Sequence, residues 1–500
     1  MINFDDYRFS TSIKIAIEPY QKDKLNRDYY KANRLYNNVI RYVLKKVKQI
    51  ERTKQYKNIV TLLKDKNTSE NKKKELYKEI TEIIKYNNLT QSDLEKYARV
   101  GNLKAYEKSL MSQMVQVLIS ELYKSIESYF FKGTKIRYRK FRHTNTLSSK
   151  SSNCTILVNK ENNSFKYQKM FFKLKDIRDK DYYLKEALDN EIVLCKIVRK
   201  TIKNKYAYYL QILLRGLPPQ KITRGTENLG IDQGTSTIAY YKDDLIGFIE
   251  LAPNIKKYNK EIVKLQRELS RKMYFNNMDN YNDDGTIKKG SKMYRSNNYM
   301  KTLFKLKDVY RRKTAYVQEE HNKLTNFLLS NCDTIIKETL DFKALQKRTK
   351  GKAVRQNKKS TVKDKNGNKK QVYKFKRKKR YGKSLNNHSP GYLNSQIIKK
   401  AEEIGVKIIP VDMKKFRASQ YSHDTDTYVK SELSDRFKIV DGEKVQRDLY
   451  SSFLMYNYKD EKTIDRDKCI NEFPNFIEQQ NELIKHVTDN TRNFGLKHFI

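Results

Sequence analysis

Polar and apolar residues alternate over residues 11–19 (TSIKIAIEP), which predicts a strand ended by Pro19. From about Lys22 to Phe131 the period becomes helical. Within that block SLMSQMVQVLISELYKSIESYF spaces its apolar residues three and four apart and stops before Gly133, the pattern of an amphipathic helix packed on its neighbours. Strand patterns return between Cys154 and Leu217, in CTILVNK, FKYQKMFFKL, EIVLCKIVRKTI and KYAYYLQILL. Strands on both sides of a helical block imply a β-rich domain with a helical insertion. GLPPQ, residues 216–220, reads as a hinge into a second domain.

The second half alternates strand and helix. ENLGIDQGTSTIAYYKDDLIGFIEL predicts three short strands joined by tight turns, and a charged helix follows from Lys256 to about Arg271. An Asn- and Gly-rich break over residues 276–290 leads into a long helix, about residues 297–330, and then the strand DTIIKE. Residues 343–383 are very basic and poor in apolar side chains, with KDKNGNKK at their centre, and read as a mobile loop. A helix over residues 393–404, the strand VKIIPVD and a last helix beginning near Gln446 complete the pattern.

Charge narrows the function. The 500 residues carry 106 Lys and Arg against 58 Asp and Glu, a formal charge of +48. Such a chain repels itself unless a polyanion neutralises it, and nucleic acid is the polyanion whose phosphates bind Lys and Arg by releasing counterions. The 37 Tyr and 21 Phe interleave with this charge and offer faces for unpaired bases. KGTKIRYRKFR, residues 132–142, is the densest such stretch and makes Lys132, Lys135, Arg137, Arg139, Lys140 and Arg142 candidate contacts. Cys154, Cys195, Cys332 and Cys469 form no CxxC pair, which argues against a disulfide framework or a cysteine zinc site. No run approaches the roughly 18 apolar residues of a membrane span, and MINFDDYRFS lacks the apolar core of a signal peptide. The expectation is a soluble, cytoplasmic protein with no membrane partner.

Three acidic residues carry the chemistry. Asp232 ends the apolar strand of LGIDQGTS, with Gly234 allowing a sharp turn beyond it. Glu338 ends CDTIIKE. Asp448 opens the helix of QRDLYSSFLMYN, with small Ser451 and Ser452 behind it. Each alone reads as a turn former, a cap or a solvated carboxylate. Together, more than a hundred residues apart and in strand, strand and helix contexts, they form a set that only a fold can assemble. Hydrolysing a phosphodiester requires an activated water and a stabilised leaving alkoxide, and two Mg²⁺ ions about 3.5–4 Å apart supply both. A few carboxylates suffice to hold Mg²⁺, with Mn²⁺ a chemically similar substitute.

These motifs resemble those of RuvC-like RNase H folds, and their order is similar to the TnpB nucleases of insertion sequences, relatives of type V CRISPR effectors. The likeness extends through KLQRELSRK (residues 264–272), residues 299–338, EIGVKIIPVDMKKFRASQYS (residues 403–422) and SDRF (residues 434–437). The resemblance implies a multidomain protein: an N-terminal β-barrel with an inserted α-helical recognition lobe, then an α/β RNase H-like (RuvC) nuclease domain with helical insertions. Residues 1–21 and 132–220 would build the barrel, 22–131 the helical lobe, 221–418 the nuclease domain, 419–445 a target-nucleic-acid-binding lobe, and 446–500 the last nuclease helix and tail. It further implies a guide RNA and a double-stranded DNA target as partners, recognition of a short flanking motif, and cleavage at one site, base pairing reading the sequence. Asp232, Glu338 and Asp448 would be the metal ligands, with Arg436 near the scissile phosphate. Lys264, Arg267, Arg271, Lys272, Lys347, Arg348, Lys376 and Arg377 join the candidate nucleic-acid contacts.

Two features depart from the family. Many relatives carry a four-cysteine zinc ribbon before the last Asp, whereas residues 419–447 contain no cysteine and His423 alone cannot hold zinc, so no zinc is expected. Thr339 follows Glu338 where relatives have Asn or Asp, which leaves Asp341 as a fallback ligand. Competing readings are a nuclease-inactive RNA-guided repressor, a type V effector with an array-derived guide, a strand-joining transposase and a basic RNA-binding protein without activity.

Overall fold

The computed structural model describes residues 6–65, 67–106, 110–140, 143–176, 181–346, 354–363, 368–375, 382–430, 435–460, 463–489 and 496. The chain divides into two compact units, Met1–Pro219 and Gln220–Ile500.

In the first unit β1 (Arg8–Ala16) leads into α1 (Pro19–Arg52), α2 (Lys54–Lys64), α3 (Glu70–Tyr86), α4 (Gln91–Tyr106) and α5 (Ser112–Lys132). After the helices come β2 (Thr146–Ser148), β3 (Ile156–Asn159), β4 (Ser164–Tyr167), β5 (Met170–Leu174), α6 (Tyr182–Asp189), β6 (Ile192–Ile202) and β7 (Lys205–Arg215). Pro19 opens α1, where its missing N–H costs nothing, and the Glu18 N–H donates to Gln21 Oε1 (2.9 Å). Gly133 ends α5 in the left-handed region at φ +66°.

The strands form one antiparallel sheet in the order β2-β6-β7-β1-β5-β4-β3. β1 pairs with β7 along Arg8–Lys14 and passes to β5 at Ile15 and Ala16. Phe9, Ile13 and Ile15 of β1 are buried with Leu25, Tyr29, Val39 and Val43 of α1 in one continuous core. Polar anchors fix α1 to the strands. Buried Asp28 accepts from Tyr167 Oη (2.8 Å) and Lys24 Nζ (2.8 Å), and Tyr29 Oη donates to the Ile197 carbonyl (2.9 Å).

The second unit begins with β8 (Asn228–Gln233), β9 (Thr237–Lys242) and β10 (Leu245–Glu250), then α7 (Ile255–Phe275) and α8 (Asn297–Ser330). β11 (Thr334–Glu338), α9 (Phe342–Gln346), β12 (Val354–Lys363), β13 (Lys369–Phe375), α10 (Gly382–His388), α11 (Pro390–Ile404) and β14 (Lys407–Val411) follow. The chain ends through α12 (Met413–Phe416), β15 (Tyr421–Ser422), β16 (Thr427–Tyr428), β17 (Phe437–Val440), β18 (Glu443–Gln446), α13 (Arg447–Tyr456) and α14 (Arg466–Asp489).

Its five-stranded sheet runs β10-β9-β8-β11-β14. The first three strands are antiparallel, and β8, β11 and β14 are parallel. One face, with Leu229, Ile231 and Ile335, packs under Leu328 of α8 and Leu393 and Ile397 of α11. The other, with Ala239, Tyr241 and Ile336, packs under Leu449 and Phe453 of α13 and Phe476 of α14. Parallel neighbours buried on both faces explain the continuous apolar runs of β8 and β11.

Two expectations change. The basic region after Lys343 is not one irregular loop: its first residues belong to α9, and β12 and β13 pair as an antiparallel hairpin, while residues 347–353, 364–367 and 376–381 lie outside those described. The strands VRQNKKSTVK and KKQVYKF carry no sustained apolar repeat in sequence, so no hydrophobic pattern announced them. Among the described residues the C-terminal region holds two helices rather than one, because helix α13 ends at Tyr456 and a Tyr458–Ile464 bridge precedes α14. No helix among the described residues is long and apolar enough to cross a membrane.

Candidate active site

β8 and β11 lie side by side with Ile231 paired to Lys337. The next residues, Asp232 and Glu338, therefore leave the same ends of neighbouring strands, which in a sheet are about 4.8 Å apart. Side chains alternate along a strand, so Asp232 shares a face with Gly230, and Glu338 with Ile336; both faces look toward α13.

Gly230 decides how near that helix comes. A β-carbon there would lie 2.0 Å from the Ser452 carbonyl oxygen and 2.5 Å from the Tyr456 nitrogen, so helix backbone rests directly on strand backbone. Asp448 occupies the first turn of this helix. Buried Gln446 caps the turn, accepting from the Leu449 N–H (2.7 Å) while its own N–H donates to Gln480 Oε1 (2.7 Å). Gly234, singled out from the sequence, serves the β8–β9 turn, where its N–H donates to the Thr237 carbonyl (2.9 Å), without a positive φ.

The three carboxylates share one electrostatic field. Burial holds the Asp232 carboxyl well above its ordinary range, the charges of Asp448 and Glu338 push it further up, and Arg447 and Ser451 oppose this. Burial alone raises Glu338 to about 7. The Arg447 guanidinium stands 3.5 Å from Asp448 and donates to the Asp435 carbonyl (3.1 Å). The Arg447 N–H donates to the Arg436 carbonyl (2.9 Å), which sets half-buried Arg436 beside the first turn of α13. Arg447 and Gly230 were missed in the sequence; the small residue two places before Asp232, on its own face, was the available signal for the second.

Among the described residues, no three His, Cys, Asp or Glu side chains as placed could hold a metal ion together. The donor chemistry nonetheless fits a hard divalent cation: Asp232, Glu338 and Asp448 are carboxylates near enough to repel one another, and such an ion would relieve that repulsion. Asp341 does not join them. It accepts from the Lys343 N–H (2.9 Å) and the Ala344 N–H (3.0 Å), capping α9. Thr339 hydrogen-bonds the Val411 carbonyl through its hydroxyl (3.2 Å).

The basic residues fall into different environments. Lys132, Lys135, Arg137 and Lys140 are exposed, on a segment pinned to α1 by Asn37 Nδ2 donating to the Arg139 carbonyl (2.8 Å) and Asn33 Nδ2 to that of Lys140 (3.1 Å). Arg139 itself pairs with Glu121 (2.8 Å) and lies 3.7 Å over the Tyr36 ring, a structural engagement. Lys264, Arg267 and Arg271 are exposed on α7, whereas Lys272 is held by Glu268 (2.6 Å) and Thr302 (2.7 Å). Arg142, Lys347, Arg348, Lys376 and Arg377 lie outside the described residues.

No family model and no curated protein matches the chain. Among solved structures it is similar to a Cas12f1 protein determined by cryo-EM with sgRNA and target DNA (12% identity, 90% of this chain and 98% of that one, TM-score 0.45). It is similar also to the mini-RNA-guided endonuclease CRISPR-Cas phi3 (11%, 92% and 94%, TM-score 0.35) and to a CRISPR-Cas12f ternary complex (13%, 89% and 83%, TM-score 0.27). At TM-scores under 0.5 none of the three assigns a role to a residue of this chain.

Proposed function

We propose that this chain is an RNA-guided DNA endonuclease of the TnpB kind, cutting its target at a RuvC-like carboxylate site. The observation that carries the reading is the meeting of Asp232 and Glu338, at adjacent ends of parallel β8 and β11, with Asp448 on the helix seated against Gly230. The sheet order β10-β9-β8-β11-β14, three antiparallel strands followed by two parallel ones, supports an RNase H-like second unit. The formal charge of +48 supports a polyanionic partner. The expected division into barrel, helical lobe, nuclease domain and cysteine-free lobe belongs to the same proposal.

Asp232, Glu338 and Asp448 would hold divalent cations, which when bound supply positive charge to the attacking water and the departing oxygen. The chain's own groups set up the rest. Arg447, whose charge opposes the rise of the Asp232 carboxyl, favours the ionised form of Asp232 needed for such binding. Arg436, held next to α13 through its backbone, contributes a second cation near the path of the scissile phosphate. Exposed Lys135, Arg137 and Lys140 in one unit, and Lys264, Arg267 and Arg271 in the other, neutralise backbone phosphates.

The deciding experiment co-expresses the chain with RNA from its own locus and assays plasmid cleavage with Mg²⁺, wild type against Asp232→Ala. Guide-dependent double-strand cutting that vanishes in the variant is expected. RNA-dependent DNA binding with no cutting by the wild type would instead identify a repressor.

A further inference from the structure

α7 presents two opposite faces. Ile262, Leu265 and Leu269 are buried with Leu306 and Val309 of α8. On the other side Lys260, Lys264, Arg267 and Arg271 recur at spacings of four, three and four residues, a straight exposed row along the helix. The next position of that row is Tyr274, followed by Phe275, with 46% and 65% of their surfaces exposed. A groove of about 970 Å³ follows the row, lined among the described residues by α7 alone, with Val263 and Ser270 between the cations. The carboxylates of the helix do not neutralise it: Glu261 pairs with Arg312 (3.1 Å) and Glu268 with Lys272 (2.6 Å).

The end of the row is built, not frayed. Buried Asn277 donates through Nδ2 to the carbonyls of Met273 (2.8 Å) and Tyr294 (2.9 Å), and accepts from the Tyr294 N–H (2.6 Å). Tyr281 packs on Tyr274 with ring centroids 5.1 Å apart, fixing that ring from below. Two large aromatic rings thus stand solvent-facing at the end of a cationic track about 16 Å long at helical rise.

We propose that this face of α7 binds an unpaired nucleic-acid strand, its phosphates on Lys260, Lys264, Arg267 and Arg271 and a base stacked on Tyr274 or Phe275. Charge selects the ligand class, because four cations with no free carboxylate among them fit a chain of phosphates. The aromatics select the unpaired form, because a duplex keeps its base faces stacked on one another while a single strand offers them. This deepens the nucleic-acid-binding part of the proposed function and rests on it; cleavage is not required.

The test incubates the full chain with 20-nucleotide strands containing 5-iodouracil, one DNA and one RNA, irradiates them, and maps adducts by mass spectrometry. An adduct at Tyr274 or Phe275 is expected, and the strand that forms it identifies the source. Tyr274→Ala with Phe275→Ala should lose that adduct and weaken the same strand about ten-fold without changing the salt dependence, whereas Arg267→Ala with Arg271→Ala should flatten it. Strands that bind but cross-link only elsewhere overturn the inference while leaving the nuclease reading intact. An adduct at the tip from a preparation that cuts no DNA supports the inference and counts against the nuclease reading alone.

Discussion

The carbonyl oxygen of Ser452 lies 2.0 Å from where a β-carbon on Gly230 would stand, so strand β8 and helix α13 meet backbone to backbone. Gly230→Ala must push the helix away, at an expected cost of about 1–3 kcal/mol. Asp448 moves with its helix, and a misplacement near 1 Å costs about a hundred-fold in rate. Urea denaturation and plasmid cleavage of the same variant check both, and undiminished cutting would refute the role given to the contact.

Asp232 and Glu338 make stability depend on pH when no divalent cation is present. Burial, then the charges of Asp448 and Glu338, holds the Asp232 carboxyl up, and burial raises Glu338 from 4.5 to about 7. A carboxyl raised on folding favours the folded state fully below its unfolded value, and that contribution is lost as pH rises through the folded value. The melting temperature in EDTA should therefore fall between about pH 4.5 and 7. Asp232→Asn removes one of the charges, so at pH 7.5 in EDTA it should melt above wild type while cutting nothing. Mg²⁺ should raise wild type more than the variant. A variant that melts lower would show that the carboxylates do not strain the fold.

The cysteine-free region before α13 is tied to α13 and α14 by hydrogen bonds. Tyr450 Oη meets His423 Nδ1 (2.7 Å) and accepts from the His423 N–H (3.2 Å), and Arg466 Nε donates to the His423 carbonyl (2.7 Å). Tyr450→Phe leaves two buried groups of His423 without that partner and should cost about 1–3 kcal/mol. A zinc chelator should leave the wild-type melting curve unchanged. A chelator-induced loss of stability would point to a metal in this region.

Neutralising the basic hairpin should act on affinity alone. With Lys358, Lys359, Lys369 and Lys370 changed to Gln, binding should weaken evenly across DNA sequences, and the slope of log K against log salt should drop by up to about 0.9 per lost phosphate contact. Filter binding at several salt concentrations measures this. A changed cut pattern at unchanged affinity would mean that the hairpin acts on the site.

How much of this was legible depended on the kind of signal. β1, α5, α7 and α8 lie close to where apolar periodicity predicted them, because each buries one face and repeats at its own period, and β11 lies where its short continuous apolar run placed it, buried on both faces. The β12 and β13 strands, VRQNKKSTVK and KKQVYKF, carry no sustained apolar repeat in sequence, and their backbone pairing is what reveals them. α14 escaped notice as a separate helix, and Pro474 within it weakens the pattern. Arg139 looked like a free cation in a basic run, yet Glu121 and Tyr36, distant in sequence, hold it.

Composition and periodicity, properties of single positions and short windows, were enough to define a strongly basic chain with alternating strands and helices and three carboxylates at element ends. Only the tertiary structure decided that β8 and β11 run parallel in the register pairing Ile231 with Lys337, and that α13 sits on Gly230. Strand pairing and helix docking are contacts between residues more than a hundred positions apart. The geometry that gathers Asp232, Glu338 and Asp448 into one field therefore exists only once the chain has closed on itself.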